Sequence, residues 1–329
     1  MANSSALPEN RHINQLPSVQ SLVTLAECSA PVHLLDRTVD SPLYRPSQCF
    51  RDNLSVEISG FDRAAVEIVS QFRPLSLREF DQIPMRAPDL IRQVKLMAPY
   101  LAGKSVVFVG DHDGTSLLLA LMCKGQVCPK PKSMLLLDFD ERLLVAAHSL
   151  ADGYGFSDLL ETRLYNVFDP VPEELVGQFD WFYTNPPYGC RNQGESARLF
   201  IARCCELARP QSSKGCIILP DDEHRPWTSV AMDATSAFLY QHQWTVDEKL
   251  NQMHQYQLDD DQELASSVTL VKRSSCGSFD AQPMRYTGRR VGFGEIPHFY
   301  GQTVKPPYPR YIRADGSEVY WPETESERR

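Results

Sequence analysis

From Ser105 onward the chain alternates short apolar runs with segments long enough to be helices, and this alternation narrows the folds open to it more than any other feature. The runs are Ser105–Val109, Met134–Asp138, Glu161–Tyr165, Phe179–Tyr183, Lys214–Leu219, Thr245–Lys249 and Ser266–Val271. Several are apolar at consecutive positions, the mark of strands covered on both faces. Such strands occur where crossover helices lie on both sides of a parallel sheet. The pattern therefore predicts a doubly wound, seven-stranded α/β fold with its last strand antiparallel.

The remainder of the chain is divided around that unit. With 329 residues, of which 42% are apolar and 23% charged, there is length for one large domain with smaller flanking parts. Residues 1–88 are expected to hold a small N-terminal domain, with 1–20 disordered, short amphipathic helices over 18–73 and a break at Pro42 to Gln48. Residues 89–273 form the main domain, opening on a helix over 89–101 that has Pro88 at its start and Pro99 near its end. The stretch 274–329, rich in Gly, Pro and Tyr, is expected to drape over the core or to pack on a partner, a second copy of the chain included. No apolar run approaches the roughly 18 residues of a membrane span, and the N-terminus does not read as a leader. A cytoplasmic enzyme without membrane contact is the expectation. Among the nine cysteines, Cys204 and Cys205 are neighbours in sequence and no Cys-x-x-Cys occurs. They are read as reduced, with no zinc site. The net charge of -9 disfavours a polyanionic partner and favours a polycation.

In a doubly wound sheet, ligands bind beyond the carboxyl ends of the strands, where strand order reverses. Acids recur there. The first strand ends in Gly110-Asp111-His112-Asp113-Gly114, the second in Asp138-Phe139-Asp140, and the third is followed by Phe168-Asp169. Asp138, with Asp140 as second candidate, can accept from both hydroxyls of a ribose. Asp169 can accept from an adenine amino group beside the ring of Phe168. The competing role for each acid is helix capping. The first loop lacks Gly-x-Gly-x-x-Gly spacing, so it is not a phosphate cradle. Asp111 and Asp113 instead attract an ammonium or a sulfonium and repel a carboxylate. That favours decarboxylated S-adenosylmethionine over S-adenosylmethionine as the bound cofactor.

The fourth strand runs into Thr184-Asn185-Pro186-Pro187-Tyr188-Gly189. An Asn at a strand end aims its carbonyl oxygen, together with the next backbone carbonyl, at the hydrogens of an amine. Pro186 stiffens the turn and Tyr188 offers a ring face to a planar base or a cation. Asn185, Pro186 and Tyr188 are thus the catalytic candidates for alkylation of an amine nitrogen. Asp180, Asp222, Glu223 and His224 are the candidate substrate-binding groups, the last three together with Asp221 following the fifth strand.

Phe80-Asp81-Gln82, the loop 110–116, Leu137-Asp138-Phe139-Asp140-Glu141-Arg142-Leu143 and the run Val171 to Asp180 with the Pro-Pro turn together resemble the branched-chain polyamine synthases. The resemblance covers about residues 75–275, with His254 to Asp261 and Ser266-Ser267 as its late continuation. It implies the class I methyltransferase fold with a small winged-helix-like N-terminal domain. It also implies transfer of aminopropyl groups to a polyamine. The family turn begins with Asp where this chain has Asn185. Asn-Pro-Pro-Tyr is the usual turn of adenine-amine methyltransferases, so methyl transfer to nucleic acid is the second reading. A pocket retained without catalysis is the third.

Overall fold

The computed structural model describes residues 56–257, 263–274, 284–301 and 304–322. The expectations for residues 1–20 and for the break at Pro42 to Gln48 lie outside the described residues, as do positions 258–261 of the late motif. The elements run α1 (Gly60–Phe72), α2 (Ala87–Leu101), β1 (Ser105–Val109), α3 (Thr115–Lys124), β2 (Ser133–Asp138), α4 (Glu141–Tyr154), β3 (Leu160–Leu164), β4 (Trp181–Thr184), α5 (Glu195–Leu207), β5 (Lys214–Pro220), α6 (Pro226–Gln241), β6 (Trp244–Gln257) and β7 (Glu263–Arg273). A short hairpin, β8 (Tyr311–Ile312) and β9 (Glu318–Val319), follows. The seven main strands form one sheet in the order β3-β2-β1-β4-β5-β7-β6. β1 to β5 are parallel, and β7 enters antiparallel between β5 and β6. The doubly wound α/β sheet is as expected. The largest boundary error is β6, which runs to Gln257 across two register shifts rather than ending at Lys249.

Burial explains the central strands. All five residues of β1 and all four of β4 are buried, because helices cover both faces. One core layer joins β1 and β2 to α1, α2, α3 and α4, so Phe61, Val66 and Val69 of α1 belong to the same apolar cluster as Val106 and Leu118. The other layer lies under α5 and is completed by the chain after residue 284, through Tyr286, Phe299, Tyr300, Tyr308 and Trp321. No described helix is long and apolar enough to cross a membrane.

The C-terminal segment therefore drapes over the core, and polar anchors hold it there. Arg203 of α5 is fully buried and donates to the carbonyls of Val167 (2.9 Å), Tyr286 (2.8 Å) and Arg289 (2.8 Å) while pairing with Glu206 (2.6 Å). Asn166 donates to the carbonyl of Arg310 at 2.8 Å, and Val291 N donates to that of Phe168 at 2.9 Å. Ile312 N donates to the carbonyl of Phe139 at 3.0 Å, which extends the tail along the end of β2.

Arg203→Met would leave these buried acceptors and Glu206 without their donor. The expected cost is about 3–5 kcal/mol, the scale for removing one partner of a buried charge pair. Urea denaturation should show it, with protease sensitivity rising first within residues 284–322; a variant as stable as wild type would disprove the anchoring role.

Candidate active site

A cleft holding about 650 Å³ of empty space, solvent at its mouth included, sits at the carboxyl ends of β1, β2 and β4. Its floor is Val109, Gly110 and His112 from β1 and its loop, with Leu137, Asp138 and Phe139 from β2. Asn185 and Pro187 close one side, Phe80 to Ile83 the mouth, and Phe200 and Tyr300 the remaining wall. Gly110 has φ 68, and a Cβ there would stand 2.7 Å from the ring of Phe200, so only glycine lets α5 close over the floor.

The strand-end acids divide between the cavity and the scaffold. Asp113 and Asp138 line the cavity. Asp113 accepts from Met85 N (2.6 Å) and from Asn185 Nδ2 (2.5 Å), and Asp138 accepts from the backbone N–H of Asp111 (3.1 Å) and Asp140 (2.9 Å). Each carboxylate keeps acceptor capacity, since one oxygen carries two lone pairs. Asp111 does not line the cavity: its two oxygens accept from Thr115 N (3.0 Å) and Ser116 N (2.7 Å), fastening the first turn of α3. Asp140 caps α4 through Arg142 N (3.1 Å) and also takes Gln82 Nε2 (3.1 Å) and the Arg142 guanidinium. At both positions capping prevailed over ligand binding, because a helix starts directly after the strand and its first amides need acceptors.

Three further expectations are corrected. Asp169 does not line the cavity; its carboxylate takes Arg310 Nε (2.9 Å), Trp321 Nε1 (3.1 Å) and Arg290 (3.3 Å) from the tail, and Phe168 packs among Phe293, Phe299 and Tyr308. Asp180 precedes β4, so it lies at the opposite end of the sheet, where it accepts from Ser105 N (2.9 Å) and pairs with Arg209. Asp222 accepts from His224 N (2.9 Å) and pairs with Arg225, ordering the turn before α6, while Glu223 and His224 are exposed. None of these five lines the cavity.

The Asn-Pro-Pro-Tyr turn is held by a polar network. Asn185 Nδ2 donates to Asp113 and to the hydroxyl of Tyr256 (3.1 Å), and Asn185 Oδ1 accepts from Tyr188 OH at 3.2 Å. Facing a carboxylate fixes which end of the amide is NH₂. Oδ1 retains one lone pair for a ligand. Pro187 rather than Pro186 lines the cavity, and Tyr188 stands edge-on to Tyr256 with ring centroids 6.2 Å apart.

Desolvation sets the charges. Burial pushes Asp138 up to about 7, reinforced by neighbouring Asp140 against the pull of two backbone amides. Asp111 rises to about 7 through burial and Asp113 is raised for the same reason, while Asp81 stands exposed to solvent. His112 goes the other way, down to about 3, from burial and then from the nearby Arg73. It is therefore a neutral imidazole, with Nε2 3.1 Å from Ser76 Oγ.

Sequence reasoning did not assign Asp81, His112, Phe139, Phe200 or Tyr300 to the site, though all five line it. Asp81 carried a signal, its place in Phe80-Asp81-Gln82. Tyr300 carried none, because it belongs to no periodic segment.

The strand order, with an antiparallel β7 and a cavity over the carboxyl ends, defines a class I methyltransferase-like fold. Residues 63–264 match the family described as the branched-chain polyamine synthase A C-terminal domain, and the chain belongs to that family. The N(4)-bis(aminopropyl)spermidine synthase of Thermococcus kodakarensis is 32% identical over 168 residues, 49% of this chain and 43% of that protein. The enzyme of the same name from Thermus thermophilus is 31% identical over 119 residues, 36% of this chain and 32% of that protein. The chain thus spans less than half the length of these relatives. The crystal structure of the Thermus thermophilus branched-chain polyamine synthase, solved with N4-aminopropylspermidine and 5′-methylthioadenosine, superposes with a TM-score of 0.56. It is 19% identical in sequence, over 83% of this chain and 85% of that one.

Asp138 offers a test through pH. Its folded-state value, about 7, lies above the ordinary 3.8, so the folded protein holds the proton longer than the unfolded chain. Its contribution is therefore fully present below about pH 4 and is lost as pH rises towards 7. His112, depressed when folded, acts with the opposite sign below about pH 6.5, so wild type alone does not isolate Asp138. In Asp138→Asn the loss should vanish, making the variant more stable relative to wild type at pH 8 than at pH 5. Melting curves at the two pH values that keep the same spacing would contradict the assignment.

Proposed function

We propose that the chain transfers an aminopropyl group from decarboxylated S-adenosylmethionine to an amine nitrogen of a polyamine. One observation carries this reading. The cavity is lined by the carboxylates of Asp81, Asp113 and Asp138, and no lysine or arginine lines it beside them. A sulfonium and an ammonium both gain from that field, while the carboxylate of S-adenosylmethionine would meet like charge with no lysine or arginine in the lining to pair it, Arg73 being engaged behind the first loop by the Asp113 carbonyl at 3.0 Å. Family membership and the names of the relatives point the same way. The net charge of -9 draws a polycation towards the mouth.

The ring-bearing part of the donor fits beside Asp138, whose free lone pairs suit ribose hydroxyls, between Phe139 and Val167 on one side and Phe200 on the other. Asn185 Oδ1, steadied by the hydroxyl of Tyr188, would align the acceptor nitrogen. Transfer joins the amine nitrogen to the donor's propyl carbon, breaks the bond from that carbon to sulfur, releases a neutral thioether nucleoside and frees one proton. Asn185 has no basicity to take that proton. Asp81 can: it is an exposed carboxylate that lines the cavity, and its side chain makes no hydrogen bond among the described residues.

The direct test supplies labelled donor, decarboxylated or intact, to spermidine and to adenine-containing nucleic acid. Label on spermidine from the decarboxylated donor is expected. Label on nucleic acid alone, from the intact donor, would replace this reading with base methylation. For the proton acceptor, kcat should climb with pH as Asp81 ionises. Asp81→Asn should cost about 10²-fold or more in kcat and flatten that limb. An unchanged profile would remove Asp81 from the role.

A further inference from the structure

The carboxylate that follows β3 is spent on the chain's own tail, and the result of that clamp is the placement of Tyr300. Arg290, Arg310 and Trp321 converge on Asp169 from positions on both sides of Tyr300 in sequence. Between them the tail folds an aromatic cluster in which Phe299 and Tyr308 hold Tyr300 edge-on, with centroids at 4.7 and 5.2 Å. Held this way, the Tyr300 ring stands edge-on to Phe80 at 5.1 Å and near-parallel to Phe139 at 6.2 Å, so rings from three distant parts of the chain make one wall of the cavity.

The phenol is as informative as the ring. Its hydroxyl makes no hydrogen bond among the described residues, although it lies within the fields of Asp138 and Asp81. Burial beside those carboxylates holds it firmly protonated. An unused O–H next to the acid that ends β2 complements a vicinal diol: one hydroxyl donates to Asp138, and the other shares a hydrogen bond with the phenol.

We propose that Tyr300 is a nucleoside-binding residue, packing its ring on the bound adenosyl group and its hydroxyl on the ribose, and that Asp169 is a positioning residue that keeps Tyr300 there by clamping the tail. This rests on the reading that the donor is an adenosyl compound. It assigns part of the donor site to a segment beyond residues 63–264, the part that matches the family.

Calorimetry with 5′-methylthioadenosine and, separately, with spermidine tests it on the full chain. Tyr300→Phe should weaken nucleoside binding about three- to tenfold, the scale of one lost hydrogen bond. Tyr300→Leu should weaken it about tenfold further through the lost ring contact. Spermidine affinity should stay within about twofold of wild type in both, which a merely structural role for the ring would not allow. Asp169→Asn should weaken nucleoside binding as well, and added to Tyr300→Leu it should cost nothing more, because both act through one ring. A folded Tyr300→Leu that binds the nucleoside like wild type would overturn the proposal, as would equal losses for nucleoside and spermidine. Should Tyr300→Leu not fold, Tyr300→Phe with wild-type nucleoside affinity overturns it equally. Additive effects of the two changes would remove Asp169 from the positioning role. Wild type that binds spermidine but no nucleoside would overturn the adenosyl reading and this inference with it.

Discussion

A parallel sheet covered by helices on both faces leaves its polar side chains one place to gather, the strand ends, and there they are poorly hydrated. That constraint shapes everything else in this molecule. β1 and β4 are buried along their whole length, so Asp113, Asp138 and Asn185 emerge together from an apolar slab. Water cannot screen them, so their charges depend on each other and on a few backbone amides. The Asn185 amide placed 2.5 Å from Asp113 is the join that ties the first loop to the turn after β4.

The same crowding explains why acids that look alike in sequence do different work. A helix begins within a few residues of β1 and again of β2, and its exposed amides compete for any carboxylate nearby. The acid directly after β1, Asp111, is drawn back to α3 and the second acid after β2, Asp140, to α4. Their partners, Asp113 and Asp138, point into the cavity. Each loop thus divides its two acids between helix capping and the cavity lining. Burial raises both acids above ordinary carboxylates, at Asp138 with the help of Asp140 and at Asp113 against the pull of Asn185, the Met85 amide and Arg73.

The fold was legible because it rests on repetition. Apolar runs at helix-length spacing specify a doubly wound sheet whatever the loops contain, and the five parallel strands were located to within a few residues. The turn from Asn185 to Tyr188 was legible because proline restricts its shape locally. What escaped was whatever depended on contacts distant in sequence. Asp169 reads as a ligand-binding acid until Arg290, Arg310 and Trp321 are seen to reach it. Asp180 adjoins an apolar run, but its place before β4 rather than after it sends it to the wrong end of the sheet. No pattern within residues 284–322 announces that Tyr300 will meet Phe80 and Phe139.

The clamp on Asp169 also carries a meaning in time. Synthesis proceeds from the N-terminus, so the sheet, the acids of β1 and β2 and the Asn-Pro-Pro-Tyr turn all exist before Arg290, Tyr300, Arg310 and Trp321 have been made. A chain paused at that stage would have an acidic cleft with one wall missing and the carboxylate of Asp169 facing solvent unpaired. Closure comes last, when two arginines and one indole of the tail find that acid. The cavity thus has a wall, Tyr300, that only the last-made part of the described chain supplies.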